Sequence, residues 1–259
     1  MASRRRDMES PPTGAAGIRS SGSLRKWSGE RGRHDEGRSC NARRYAKIGR
    51  GGVRRYSSGA IMSTDERGTE TGMRRYPTLH TVRLVLRAFT LGDAPEVRRL
   101  AGEWEVARTL LSVPHPYGEG LAEEWISGHP SELERNEGVH FAVVLREREE
   151  ICGACGLIIN SRDANAELGY WIGVPYWGRG YATEAAREVL RYGFEDLRLH
   201  RVYAAHFGNN PASGTVLTKI GMSYEGTRRE HHRKYGDYED RVEYGLLVRE
   251  WLAARRRTG

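Results

Sequence analysis

The sequence predicts an α/β (α+β) domain, with a central mixed, mostly antiparallel twisted sheet of about seven strands flanked by about four helices. Three observations carry this. Residues 139–145 and 150–159 are apolar runs joined by a charged turn, and residues 224–248 turn back on a glycine, so both read as antiparallel hairpins. The stretch Trp171-Ile-Gly-Val-Pro-Tyr-Trp-Gly-Arg-Gly-Tyr-Ala-Thr-Glu-Ala185 ends an apolar strand, turns on proline and glycine, and opens a helix at about Gly180 that runs through Phe194. Residues 197–207 then return as a strand, and a strand, helix, strand unit of this length needs a right-handed crossover between parallel strands.

The elements follow in order. Leu79 to Phe89 alternates, with Val82, Leu84 and Leu86 toward a core and Arg83, Val85 and Arg87 on the other face, which predicts one half-buried strand. Thr90 to Pro95 offers cap residues and a first-turn proline, and Val97, Leu100, Ala101 and Trp104 recur at helical spacing. From Glu105 to Ser131 the prolines Pro114, Pro116 and Pro130 interrupt two short helical stretches, of which Gly120 to Ile126 is the clearer. His115, His129 and His140 share no metal-ligand spacing and read as loop or surface histidines.

Cys152 and Cys155 lie in one strand, where residues three apart are separated by about 10 Å and point to opposite faces. That exceeds a disulfide's reach, no second cysteine pair supports zinc, and both read as small core residues. Along residues 165–172, Glu167 and Gly169 share one face while Leu168 and Tyr170 share the other. Asn209 or Asn210 before Pro211 opens a helix that Gly221 stops. The closing hairpin turns around Gly236-Asp237, its adjacent His231 and His232 point apart, and residues 250–259 read as a polar tail.

Charge divides the chain. Residues 1–60 hold 15 Lys/Arg against 5 Asp/Glu, and the remainder holds 27 against 29, so the net charge of +8 belongs to the N-terminal arm. Residues 1–75 have few large aliphatics and no sustained period, which predicts a disordered basic extension ahead of a domain at 76–250 and a tail at 251–259. Three readings fit the arm: a weak polyanion contact to nucleic acid or ribosome, a transit peptide, or an over-long translation whose true start is Met62 or Met73. Its acidic residues count against a transit peptide, and its lack of any motif favours the start-site reading. Three cysteines, with no apolar run of membrane-spanning length and no signal core, predict a cytoplasmic protein without a membrane partner.

The loop before the long helix carries the chemistry. A helix start presents partnerless N–H groups and partial positive charge, which suits an anion, and Gly178 and Gly180 let the main chain bend and approach a ligand closely. The implied ligand carries a phosphate or pyrophosphate, although two glycines also suit a plain tight connection. No Gly-Lys-Ser/Thr follows, and the glycines do not continue to the third that dinucleotide binding requires, so neither common phosphate loop fits.

Trp177-Gly-Arg-Gly180-Tyr-Ala182 resembles the acyl-CoA pyrophosphate loop, Gln/Arg-x-x-Gly-x-Gly/Ala, of the GNAT N-acetyltransferases. The continuation Thr-Glu-Ala185 resembles the branch of ribosomal-protein alanine N-acetyltransferases, where Trp replaces the first Gln/Arg. Asn210, Ser213, Val216, Leu217, Lys219 and Gly221 match that family's helix after the crossover, with Met222 where Phe is usual, and Asp240, Tyr244 and Leu246 match its closing hairpin. The resemblance spans about residues 79–249. It implies the GNAT fold with strands splayed at an acetyl-CoA site, and acetyl transfer to a primary amine without a metal.

The same resemblance implies the site. Ile172, Gly173, Val174, Trp177, Gly178, Arg179, Gly180, Tyr181, Ala182 and Thr183 would line the coenzyme, the amides from Trp177 to Ala182 holding the diphosphate and the main chain around Gly173 polarising the thioester. Asn210, Ser213 and Lys219 would lie along its pantetheine arm and beyond. Glu167 is the candidate base, as a strand carboxylate among few competing charges, and Ser213 the candidate donor to the leaving thiolate, with Tyr224 or Tyr203 as alternatives. The acceptor is expected to be a protein N-terminus, or otherwise a small amine such as an antibiotic, polyamine or amino acid. A third reading, from another class, is a non-catalytic nucleic-acid-associated protein. The molecule is expected to be a monomer or homodimer.

Overall fold

The computed structural model describes residues 76–258. The expected arm at 1–75 lies outside the described residues. Eight strands form one sheet in the order β1-β2-β3-β4-β5-β6-β8-β7, where β1 is Leu79–His80, β2 Leu84–Ala88, β3 Gly138–Leu145, β4 Ile151–Asn160, β5 Asn165–Ile172, β6 Arg201–Phe207, β7 Ser223–Lys234 and β8 Asp237–Leu247. The helices are α1 Ala94–Ala101, α2 Trp104–Ala107, α3 Leu121–Glu134, α4 Tyr181–Glu195, α5 Pro211–Lys219 and α6 Val248–Thr258. Every neighbouring pair is antiparallel except β5 with β6, across which α4 makes the expected crossover.

One core lies under α4, where Leu84, Leu86, Phe141, Val143 and Leu157 from the sheet meet Ala185, Val189 and Leu190. Each large aliphatic or aromatic side chain so buried contributes about 1.5–3 kcal/mol. The opposite face is covered by α1 and α3, which pack Ala94, Val97, Leu100 and Ile126 around Trp171 and Phe89. A glutamate on the same face of β5 as Trp171 therefore faces the α1 and α3 side.

Several expectations are corrected. The first strand is two: Thr81 Oγ1 accepts from Leu84 N at 2.9 Å, this side chain competes with the ladder, and the chain turns at residues 81–83. Val82, expected inside, is 88% exposed. Pro130 does not end a helix, since α3 runs through it. Burial of Ile126, His129 and Leu133 holds the segment although proline removes one intrahelical bond. The polar C-terminal stretch is helical, because Trp251 has an apolar surface to reach and stacks 5.4 Å from Phe194.

The cysteines are core residues but share a face. The β3–β4 register slips between Val143 and Val144, leaving Cys152 as the extra residue, and this bulge turns it into the cluster that holds Cys155. Burial pushes the Cys152 thiol up to about 12 and raises Cys155 further. His129 and His140 are not surface residues either: their rings stack at 4.6 Å beneath Trp125, with His140 Nε2 2.8 Å from Glu132. A second bulge, with Glu230 at φ 49, brings the His231 and His232 rings to 4.6 Å where a straight strand would part them. Among the described residues no group of three or more His, Cys, Asp or Glu could hold a metal ion, and no helix is long and apolar enough to cross a membrane.

Candidate active site

β5 and β6 pair only at Asn165–Arg201, Ala166–Val202 and Glu167–Tyr203. Beyond these pairs β5 stays with β4 to Ile172 while β6 stays with β8 to Phe207, so a gap opens between them. The ladder decides what faces that gap. Gly173 N–H donates to Cys152 O at 2.9 Å, and residues along an antiparallel strand alternate in direction, so the N–H groups of Tyr170 and Ile172 point away from β4 into the gap.

Within the main chain around Gly173, the amide of Gly173 itself is spent in the ladder, which leaves the neighbouring Ile172 N–H to face the gap. Gly173 is a glycine for packing: a Cβ there would meet Leu100 Cδ2 of α1 at 2.5 Å.

After Val174–Tyr176, a single 3-10 turn, the chain bends through Gly178 at φ +73 and Gly180 at φ +79 into α4. These left-handed angles suit glycine and cost other residues about 1–2 kcal/mol. Among the described residues, no backbone N–H from Gly178 to Thr183 donates to a protein acceptor, so Gly178, Arg179, Gly180, Tyr181, Ala182 and Thr183 present a run of amides at the helix start. Trp177 differs from expectation. Its amide bonds Val174 O at 3.1 Å, while its indole N–H caps Ile172 O at 2.6 Å and leaves the ring 48% exposed beside the gap.

α5 starts at the expected cap, Asn210 Oδ1 accepting from Ser213 N at 3.3 Å. Ser213 Oγ lies 2.8 Å from the Tyr170 hydroxyl, which also donates to Ser213 O at 3.1 Å, so a bridge crosses from β5 to α5. Burial raises Tyr170 above the usual phenol range, keeping its proton in place. Lys219 is exposed in the last turn of α5, where its carbonyl accepts from Arg187. Tyr224 is 59% exposed on β7, two strands beyond β6, and its hydroxyl is shared with Thr227, whereas Tyr203 sits beside Glu167.

Glu167 is not among few charges. Its Oε1 takes a 2.8 Å bond from Arg241, which also bonds Glu243 at 3.1 Å, and Arg228 reaches Glu243 at 3.2 Å. Burial works to lower Arg241, and Glu167 and Glu243 outweigh it, holding that guanidinium above its ordinary value. On the same face of β5 a Cβ at Gly169 would meet nothing within 4 Å, so open space lies beside Glu167. A strap spans the far side. Lys234 Nζ, on the β7–β8 hairpin, donates to Leu111 O and Val113 O at 3.2 and 2.5 Å, Tyr235 donates to Val113 O at 3.0 Å, and the Tyr235 ring packs 5.0 Å from Trp104.

The sequence reading assigned no role to Tyr170, Arg241 or the contact of Arg83 with Glu184. Glu184 stands inside the loop motif, but its partners lie about a hundred residues earlier, beyond the reach of any local pattern. Tyr170→Phe is expected to lower turnover by about 30-fold while acetyl-CoA affinity holds, because it removes both neutral hydrogen bonds to Ser213, about 1 kcal/mol each. Steady-state kinetics of the variant checks this.

A parallel strand pair that parts beside a glycine loop of unpaired amides is the frame of an enzyme that draws an acyl group from a coenzyme A thioester. The chain belongs to the GNAT family of N-acetyltransferases: the acetyltransferase (GNAT) domain model matches residues 83–223. It is 30% identical over 175 residues to the uncharacterized N-acetyltransferase p20 of Bacillus licheniformis, covering 67% of this chain and 98% of that one. It is 27% identical over 187 residues to the ribosomal protein uS5 alanine N-acetyltransferase of Escherichia coli, covering 68% and 94%. The solved structure of RimL, a ribosomal L7/L12 α-N-protein acetyltransferase in complex with coenzyme A, superposes with a TM-score of 0.61 at 17% identity, covering 66% of this chain and 98% of that one.

Proposed function

We propose that this N-acetyltransferase moves the acetyl group of acetyl-CoA to the α-amine of a protein N-terminus, of the ribosomal-protein kind. The carrying observation is the β5–β6 gap with the amides of residues 178–183 at its open end. The diphosphate sits on those amides, the pantetheine arm follows β5 past Asn210 and Ser213, and the thioester carbonyl accepts from Ile172 N–H. Arg179, Lys219 and the Trp177 ring border the nucleotide end.

The amine approaches over Gly169. Its ammonium gives a proton to Glu167, directly or through water, and the freed lone pair attacks the thioester carbon. The tetrahedral intermediate collapses, the carbon–sulfur bond breaks, and the thiolate takes the proton of the Ser213 hydroxyl, which the Tyr170 bridge orients; the proton lost by the acetylated nitrogen returns to Ser213 through water, so both groups end neutral. The strap ties the hairpin tip at Lys234 and Tyr235 to the segment at Leu111 and Val113, and on this reading it borders the acceptor. The similarity to a ribosomal-protein alanine N-acetyltransferase supports the same acceptor class.

A coupled assay for free coenzyme A tests this against short peptides, polyamines, aminoglycosides and amino acids. Peptide α-amines are expected to exceed the others by about 10-fold or more in kcat/KM. The reverse ranking replaces the acceptor with a small amine, and no acetyl-CoA consumption with any amine overturns the catalytic reading.

A further inference from the structure

The glycine loop is gripped from outside. Arg83 sits in the turn between β1 and β2, and its guanidinium reaches three points on the loop and the first turn of α4. Nη1 donates to the Arg179 carbonyl at 3.0 Å, Nε donates to Glu184 Oε2 at 2.7 Å, and the guanidinium carbon stands 4.8 Å from the centre of the Tyr181 ring. Glu184 is further held by Thr81 Oγ1 at 2.6 Å and by Arg83 N at 2.9 Å. These bonds keep the Glu184 carboxyl below the usual carboxylate range although burial works to raise it.

The bond to Arg179 O sets the direction of an amide. In a planar trans peptide the carbonyl of one residue and the N–H of the next point opposite ways. With Arg179 O turned outward to Arg83, Gly180 N–H is turned inward to the hollow of the loop. Gly180 at φ +79 has no Cβ to oppose that orientation, and a free glycine peptide rotates easily. The Glu184 carboxylate already neutralises the Arg83 charge, so what Arg83 supplies is geometry.

We propose that Arg83, locked by Glu184 and Thr81, is a positioning residue for the anion site: it holds the Arg179–Gly180 peptide in the one orientation that aims Gly180 N–H at the coenzyme diphosphate. This rests on the function proposed above, and it adds to that reading a residue that touches no reacting atom. Lysine cannot replace it, because one ammonium does not reach the carbonyl, the carboxylate and the ring face in fixed directions.

Isothermal calorimetry with acetyl-CoA, on the full chain and on Arg83→Ala, Arg83→Lys and Glu184→Gln, measures the affinity. The spectrum of 15N-glycine-labelled protein supplies a signature that a merely structural role would not give. Wild type is expected to bind acetyl-CoA with displacement of the Gly180 amide peak. Arg83→Ala and Arg83→Lys are expected to bind about 30-fold more weakly, with the Gly180 peak already moved before ligand is added and the peaks of Gly193 and Gly214 in place. Glu184→Gln is expected to fall between. Wild-type affinity in both Arg83 variants overturns the inference while leaving the function standing, and so does full rescue by Lys. A loss of affinity in which all glycine peaks move together assigns Arg83 to stability and also overturns it. If Arg83→Ala does not fold, Arg83→Lys and Glu184→Gln decide. Failure of wild type to bind acetyl-CoA removes the functional reading itself.

Discussion

Replacing Gly178 and Gly180 together with valine is expected to raise the dissociation constant for acetyl-CoA by about 100-fold or more, measured by calorimetry. Both residues hold left-handed angles, +73 and +79, that a β-branched side chain resists. No crowding adds to this at Gly178, where a Cβ would meet nothing within 4 Å, and at Gly180 the nearest atom is Arg83 Nη2 at 3.6 Å. The effect is therefore one of backbone direction. Once the chain relaxes away from these angles, the amides from Gly178 to Thr183 no longer converge. Loss of two charge-assisted bonds at about 1.5–3 kcal/mol each gives the stated factor at its lower end. Strain of about 1–2 kcal/mol at each position is expected to lower the melting temperature by about 5–15 °C, and unchanged affinity in a folded variant would remove the coenzyme site from this loop.

Glu167→Gln is expected to lower kcat by about 100-fold or more, with the acetyl-CoA dissociation constant unchanged. Glutamine keeps the shape and an oxygen for Arg241, so the ion network loses one charge but not its packing. Arg241 retains Glu243 as a partner. The discriminating measurement is the pH profile. Loss of a proton acceptor makes the variant depend on the free amine in solution, so its rate is expected to climb with pH toward the acceptor's own pKa. A variant with wild-type kcat and an unchanged profile assigns Glu167 to the Arg241 pair alone and leaves the ammonium to a different acceptor.

Much of the fold was legible because its signals are local. The Gly178 and Gly180 loop, the Asn210 cap and the Gly221 stop are written in backbone preferences that hold wherever the chain is placed, and the structure realises them at φ +73, +79 and +94 for the three glycines. The first strand was misread for a reason that is not local. The alternation holds at Leu84 and Leu86 but fails at Val82, because Thr81 and Arg83 are bound to Glu184 about a hundred residues on, and the strand breaks to reach it. Pro130 was read as a break on a propensity that the packing of α3 overrides. Opposite faces for Cys152 and Cys155 followed from a period of two, and one extra residue in β4 undid it.

By itself the sequence determined the order of the elements, the parallel crossover around α4 and the run of amides at its start, since periodicity, glycine conformation and chain length suffice for these. Tertiary structure alone decided which amide faces the gap, which side chain bridges to Ser213, what charge accompanies Glu167 and what holds the loop in shape. Each of those is a meeting of residues far apart in the chain. Hydrogen-bond direction and ion pairing depend on ångström-scale placement, and that placement is set by how the whole sheet twists and packs rather than by any neighbouring residue.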